Sequence, residues 1–341
     1  MTPESANTAI PVNVLTGFLG SGKTTLLQHV LRAPNMQRTV VLINELGEIG
    51  LDHLLVERVD ESVVLLQSGC ICCSIRDDLS GALRALLTRH DQAQIPDFDR
   101  VVIETTGLAD PAPILYTLAA EPVVRHHFRL ANVITTVDAV NAALHLSRNP
   151  EGLKQVAAAD RLVITKTDLA QPGETAAVHA TLLRLNPSAE VLDATHARLD
   201  VERLLVPRPF GAMAQRIAFA PIEAAHLREL NWHSADITSL SLALDEPLDW
   251  TAFGIWLSML LNRHGNEVLR VKGILNVQGS AAPVFINAVQ HIVHPPQHLE
   301  RWPTDDRRSR IVFITRGIDR ERLRRSLAAF SRSGVADVST V

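Results

Sequence analysis

Lysine is scarce in this chain of 341 residues: only Lys23, Lys154, Lys166 and Lys272 occur, and arginine supplies the other basic side chains. Lys23 and Lys166 both fall inside nucleotide-type motifs, which marks them as chosen for their chemistry rather than as generic surface charge. Cysteine is scarcer, at three residues; that is too few for a disulfide framework, and an odd number cannot all pair internally. Reduced thiols and a cytoplasmic compartment are expected. Neither charge sign dominates. A formal net charge of -4 offers no electrostatic footprint for nucleic acid or anionic membrane, so neither is expected as a partner. The opening MTPESANTAI lacks the basic-then-apolar layout of a signal peptide. No uninterrupted apolar run approaches the roughly 18 residues of a spanning helix. Histidine forms no tract. The 14 histidines are dispersed, and the groupings His126-His127 and His291, His294 and His298 read as surface or packing residues. Internal repeats and low-complexity segments are absent as well.

What is present is an ordinary globular composition, 46% hydrophobic and 21% charged, in a chain long enough for two cores. From residue 10 to about 192, short β-branched apolar runs alternate with helical stretches. The runs cover 12–16, 39–44, 63–67, 101–104, 133–137, 162–165 and 190–192. They are too continuous for half-exposed strands, which would alternate with polar residues. They predict an α/β domain, a mostly parallel sheet covered by helices on both faces. In such folds ligands sit beyond the carboxyl ends of the strands.

Pro207-Arg208-Pro209 opens a less regular stretch. Beyond it a strand is expected at 237–244, then a helix introduced by Pro247 and Asp249, then strands at 267–277, 284–289 and 311–315. A last helix starts near Asp319, with Leu323, Leu327 and Phe330 on one face. The expected organisation is a flexible segment 1–9, a P-loop nucleotide domain 10–205, a linker 206–234, a smaller C-terminal α+β domain 235–331 and a tail 332–341.

Gly17-Phe18-Leu19-Gly20-Ser21-Gly22-Lys23-Thr24 matches the phosphate-loop pattern, after a strand and before a helical stretch at 25–31. Its glycines let backbone N–H groups turn inward around phosphates. Lys23 is placed to reach the β- and γ-phosphate oxygens, and the Thr24 hydroxyl to ligate Mg²⁺. Val101-Val102-Ile103-Glu104-Thr105-Thr106-Gly107 ends a buried strand on an acid, with a glycine three residues on. Glu104 can hold the Mg²⁺ shell or orient the attacking water, and the Gly107 N–H can sense the γ-phosphate. Thr165-Lys166-Thr167-Asp168 supplies a base reader. A carboxylate at Asp168 accepts from guanine N1–H and its exocyclic amine, a pair that adenine does not offer. The Lys166 stem can lie along the ring. The usual form of this motif begins with Asn, and here Thr165 stands in its place.

All three cysteines lie within four residues, Cys70-Ile71-Cys72-Cys73. In an extended segment Cys70 and Cys72 point the same way and Cys73 opposite; a bend after 63–67, which Ser68-Gly69 would permit, would converge all three. Three thiolates hold Zn²⁺ with a fourth ligand or water; their softness also admits Co²⁺ or Cu⁺.

GFLGSGKTT, NELGEIG, GCICCSIRDDL, ETTGLADPAP and TKTD, in this order, resemble the CobW family of metal-handling GTPases, as do Trp232-His233-Ser234, Leu269-Arg270-Val271-Lys272-Gly273 and Arg310-Ile311-Val312-Phe313-Ile314. The resemblance covers nearly the whole chain. It implies a GTP-hydrolysing metallochaperone that carries zinc, or cobalt, to a client metalloprotein and couples release to hydrolysis. It implies that Gly20, Ser21, Gly22, Lys23, Thr24 and Thr25 hold phosphates and Mg²⁺. Glu104 and Gly107 then form the hydrolytic switch, Lys166 and Asp168 bind guanine, and Cys70, Cys72 and Cys73 bind the metal. Glu45 is implied as part of a loop near the nucleotide and the metal. Without the histidine-rich tract of many relatives, metal storage is not expected. Arg76 is a candidate arginine finger. A nucleotide- or metal-dependent homodimer stays open, and so does a GTPase that senses metal and matures a client of the nitrile hydratase or cobalamin-pathway type without carrying the metal. A small-molecule kinase is disfavoured by Thr165–Asp168 and by the lack of an obvious lid.

Overall fold

Strands buried on both faces carry apolar side chains at every position, and the continuous runs of the sequence form such strands. The computed structural model describes residues 9–36, 38–43, 64–67, 75–196, 199–206, 210–218 and 237–330. The chain divides into two compact units, Met1–His179 with Val191–Pro207, and Ala180–Glu190 with Arg208–Val341.

The first unit begins with β1 (Ile10–Gly17), α1 (Lys23–Leu31), a short 3-10 turn and β2 (Thr39–Ile43). Then come β3 (Val64–Gln67), α2 (Ile75–Asp91), β4 (Arg100–Glu104), α3 (Ala112–Ala120) and α4 (Pro122–His127). Along the chain there follow β5 (Phe128–Asp138), α5 (Ala142–Arg148), α6 (Pro150–Ala158), β6 (Arg161–Thr165), α7 (Glu174–Leu185), β7 (Glu190–Ala194) and α8 (Val201–Leu205), of which Ala180–Glu190, the end of α7 and the first residue of β7, group with the second unit. The seven strands lie in the order β3-β2-β4-β1-β5-β6-β7. The pairings among β1 to β6 are all parallel.

Central β1 lies between β4 and β5, so the chain leaves it in both directions, the kind of switch point at which ligands bind in open α/β sheets. Register then decides which side chains meet at the carboxyl edge. Leu15 pairs with Glu104, Gly17 with Thr136, and Asp138 with Thr165. On one face of the sheet α1 buries Leu26, Leu27, Val30 and Leu31 against Leu15, Val41, Val102, Ile134 and Val163.

The second unit holds α9 (Phe210–Ala218), β8 (Ile237–Leu244), α10 (Trp250–His264), β9 (Val268–Leu275), β10 (Val284–Val289), β11 (Ile292–Val293), β12 (Gln297–His298), β13 (Ser309–Arg316) and α11 (Arg320–Phe330). Its sheet runs β11-β10-β9-β13-β8, with β12 also on β10, and its pairings are antiparallel. Asp249 caps α10 by accepting the Ala252 N–H at 2.8 Å, and Asp319 caps α11 by accepting that of Arg322 at 2.7 Å. Trp256, Phe253, Leu257 and Leu261 of α10 pack with Leu323 and Leu327 of α11 on one face of the sheet.

Beyond the short strands β11 and β12, which the sequence reading did not name, one helix departs from it. Within the stretch after Pro207 that reads as irregular, 210–218 forms α9. Its Ala214, Ile217 and Ala218 join Ile274, Phe285 and Val312 in a second apolar cluster, with Met213 packed against it. The spacing 213, 214, 217, 218 is helical, and the two prolines lie just before the helix, where proline is tolerated.

Candidate functional site

The phosphate-loop segment joins β1 to α1 through three glycines with positive φ: 140° at Gly17, 71° at Gly20 and 88° at Gly22. Gly17 has a second reason to be glycine, because a Cβ there would overlap the Thr136 side chain. That close approach lets the Ser21 and Thr136 hydroxyls bond at 2.6 Å, which fixes the loop to β5. Gly22 is the N-cap of α1 and no side chain among the described residues caps that end, so the first amides of the helix face the loop. The Lys23 ammonium donates to the Gly17 and Phe18 carbonyls at 3.0 and 3.2 Å, which curls it over the loop.

Beside it, the register of β1 and β4 delivers Glu104 to the first turn of α1. The Thr24 hydroxyl donates to Glu104 Oε1 at 2.9 Å, and Glu104 is only 2% exposed. A hydroxyl and a carboxylate held together in this way are hard oxygen donors of the kind Mg²⁺ prefers, so these residues fit that ion. The backbone beyond Glu104 stays close to the loop. Thr105 donates its N–H to the Leu15 carbonyl and its hydroxyl to Thr16 Oγ1, both at 2.9 Å. A Cβ at Gly107 would come within 2.6–2.8 Å of Leu19 side-chain and backbone atoms. Only glycine permits that approach. From the opposite side Gln155 Nε2 donates to the Gly107 and Ala109 carbonyls at 3.2 and 3.0 Å, and Lys154 pairs with Asp110 at 3.0 Å.

At the end of β6 the Thr165 hydroxyl donates to the Ser21 carbonyl at 2.8 Å and to the Val137 carbonyl at 3.3 Å. Lys166 takes a left-handed backbone, φ 57°, which turns its ammonium onto Asp138 Oδ2 at 2.7 Å. Asp138 also accepts from the Val140 amide at 2.9 Å and the Asn141 side chain at 2.9 Å. Burial raises the cost of its charge, yet the bonds from Asn141, Lys166 and Val140 outweigh it and hold its pKa below the usual carboxylate value. Asp168 accepts the His196 amide at 3.4 Å and lies 3.2 Å from His196 Nδ1. His145 lies against Phe18 of the phosphate loop, the rings tilted by 49° with centroids 4.6 Å apart; burial lowers its pKa, with Asp138 acting in the opposite sense.

The structure therefore brings Gly17, Gly20, Ser21, Gly22, Lys23, Thr24, Glu104, Gly107 and Thr165 to one edge of the sheet. Thr25 follows in α1, and Lys166 and Asp168 in the turn after β6. Glu45, Cys70, Cys72 and Cys73 lie outside the described residues, as does the Arg76 side chain. Among the described residues no group of three or more His, Cys, Asp or Glu is placed to hold a metal ion. Four residues that the sequence reading passed over belong to this edge: Asp138, Asn141, Lys154 and Gln155. Gln155 alone carried a signal, a polar residue beside the buried Leu153 and Val156 of α6.

Two family models match the chain. The CobW/HypB/UreG nucleotide-binding domain covers residues 11–193, and the cobalamin synthesis protein cobW C-terminal domain covers 237–331. The zinc chaperone YjiA of Escherichia coli is 34% identical, over 95% of this chain and 99% of the relative. Zinc-regulated GTPase metalloprotein activator 1 of Schizosaccharomyces pombe is 28% identical, over 93% and 85%. The crystal structure of the Zn(II)-bound YjiA GTPase from E. coli superposes with a TM-score of 0.72 at 30% identity, covering 94% of this chain and 99% of that one.

Proposed function

The chain belongs to the CobW family, and from that membership we propose that it is a GTP-hydrolysing metallochaperone, with zinc as the default cargo and cobalt as the alternative. The observation that carries the reading is the Thr24–Glu104 contact, which couples the phosphate loop to the strand leading into Gly107. The E. coli relative is named a zinc chaperone, and its GTPase was crystallised with Zn(II), which supports zinc as the cargo.

Gly17, Gly20, Ser21, Gly22 and Thr25 present amides and hydroxyls to the phosphates, and Lys23 leaves the Gly17 and Phe18 carbonyls to neutralise them. Thr24 and Glu104 would hold Mg²⁺, which supplies charge neutralisation at the β- and γ-phosphates. Glu104 and Gly107 position water and γ-phosphate. Thr165 holds the base-reading turn to the phosphate loop, Lys166 lies along the base, and Asp168 reads guanine. Cys70, Cys72 and Cys73, assisted by Glu45, take the cargo ion as thiolate ligands. γ-Phosphate and Mg²⁺ contacts order the loops around Glu45 and Glu104; hydrolysis releases them, and the ion passes to a client apoprotein. In this reading residues 10–205 are the GTPase domain and 235–331 the client-docking domain.

By linkage, a metal affinity that differs between nucleotide states requires metal to change nucleotide affinity by the same factor. The test is zinc and cobalt affinity of the purified protein with a non-hydrolysable GTP analogue and with GDP. Tighter binding in the analogue state is expected. Equal affinities would sink the coupling. The S. pombe relative's name, a metalloprotein activator, favours a second reading in which the chain senses metal and matures its client without carrying the ion. Isotope-labelled zinc appearing in the client separates delivery from activation.

A further inference from the structure

We propose that Gln155 and Lys154, consecutive residues of α6, are positioning residues for hydrolysis, because they hold the loop 105–110 against the phosphate loop and so fix where the Gly107 amide stands. The inference rests on the reading of the chain as a GTPase.

Gln155 is fully buried. A buried primary amide is costly unless it is bonded, and this one sends its Nε2 hydrogens to two carbonyls of a single loop, Gly107 and Ala109. Its Oε1 has no hydrogen-bond partner among the described residues, a cost that an apolar side chain of similar size would avoid. Packing alone gives no reason for an amide here, whereas holding the loop does. The helix that carries it is itself tied to the sheet, since Thr135 Oγ1 of β5 donates to the Gln155 carbonyl at 2.9 Å.

Lys154 adds the next contact along the loop, to Asp110 Oδ2, while Asp110 Oδ1 accepts the Ala112 N–H at 3.0 Å and so starts α3. One short stretch of helix thus grips Gly107, Ala109 and Asp110. Gly107 has to be glycine to lie against Leu19, and glycine is the residue whose backbone is least restrained. Bonding its carbonyl to Gln155 fixes the plane of the following peptide and removes the freedom that the missing Cβ allows. Thr105, bonded to Leu15 and Thr16, anchors the other end of the loop.

Displacement of a reacting or sensing group by about 1 Å costs on the order of 10²-fold in rate even when the substitution lies away from the chemistry. Gln155→Leu is therefore expected to lower kcat for GTP hydrolysis by about 10- to 100-fold. A pure positioning role leaves KM and GDP affinity within about twofold of wild type. Hydrogen–deuterium exchange is expected to quicken at the amides of 105–110 and to stay unchanged in β4 and β6. Lys154→Met, at a partly exposed site, is expected to act in the same direction with a smaller effect and keeps the test valid if Gln155→Leu folds poorly. Unchanged kcat in both variants overturns the inference. So does a joint fall of kcat and GDP affinity with faster exchange throughout β4 and β6, which would mark a general structural role. Wild-type protein that binds GTP but releases no phosphate would overturn the GTPase reading and this inference together; wild-type hydrolysis with unaffected variants overturns this inference alone.

Discussion

Thr165 and Ser21 are 144 residues apart in sequence and joined by a 2.8 Å hydrogen bond from the threonine hydroxyl to the serine carbonyl. The bond ties the end of β6 to the phosphate loop, and a threonine achieves it where the usual form of the motif carries asparagine. Thr165→Val keeps the shape and removes the donor, leaving a buried carbonyl without that partner at a cost of about 1–3 kcal/mol. GTP and GDP affinities are expected to fall together, by about tenfold, in titrations with a fluorescent nucleotide. A loss confined to GTP would place the role of Thr165 at the γ-phosphate instead.

Glu104 meets Thr24 at the point where the phosphate loop becomes helix. Gln at this position keeps the size and one oxygen acceptor and loses the charge that a divalent cation needs. Glu104→Gln is expected to lower kcat by about 10²-fold and to move the Mg²⁺ dependence of hydrolysis to higher concentration. Phosphate release measured across a Mg²⁺ series checks both effects. An unchanged Mg²⁺ midpoint would separate Glu104 from the ion.

Asp138 is expected to give the fold an acid-side pH dependence. Its pKa is lower in the folded state than the ordinary value of about 3.9. The stability it contributes is therefore fully present above the unfolded pKa and is lost as pH falls through the folded one. Melting temperatures of wild type and Asp138→Asn are expected to differ by a constant amount from about pH 5 to 8 and to converge below about pH 4. Parallel curves through the acid range would show that Lys166 and Asn141 do not hold the carboxylate charged.

The parallel sheet was legible in the sequence because strands buried on both faces leave no polar alternation, and the phosphate loop because its glycines, Lys23 and Thr24 are adjacent. What stayed hidden was made by register. Asp138 pairs with Thr165 across β5 and β6, so the ammonium of Lys166 finds a carboxylate 28 residues earlier, and no local spacing announces it. Gln155 reaches Gly107 from a helix 48 residues on. The helix α9 was masked differently: Pro207 and Pro209 read as breakers, although helical spacing resumes directly after them.

That helix packs into the core of the second unit. Ile217 is 1% exposed and packs in the cluster with Phe285 and Val312. Ile217→Ala is expected to destabilise the protein by about 2–5 kcal/mol, lost transfer energy plus a cavity, read from chemical denaturation. A change below about 0.5 kcal/mol, as for an ordinary surface site, would return 210–218 to the status of a linker.

Guanine recognition can be tested at one oxygen. Asp168 is 23% exposed and oriented by the His196 amide and ring. In the proposed role a carboxylate there would accept from both guanine N1–H and the 2-amino group, each charge-assisted bond contributing about 1.5–3 kcal/mol. Asparagine keeps one acceptor and replaces the other with a donor, which opposes the guanine amine and matches the 2-carbonyl of xanthine. Asp168→Asn is therefore expected to weaken GTP binding by about 10²-fold and to bind XTP more tightly than GTP, measured by competition. The oxygen that the variant side chain retains still accepts the His196 amide, so the turn keeps its form and the reversal reports base reading rather than collapse of the loop. Wild-type preference for GTP retained in the variant would remove Asp168 from the base site.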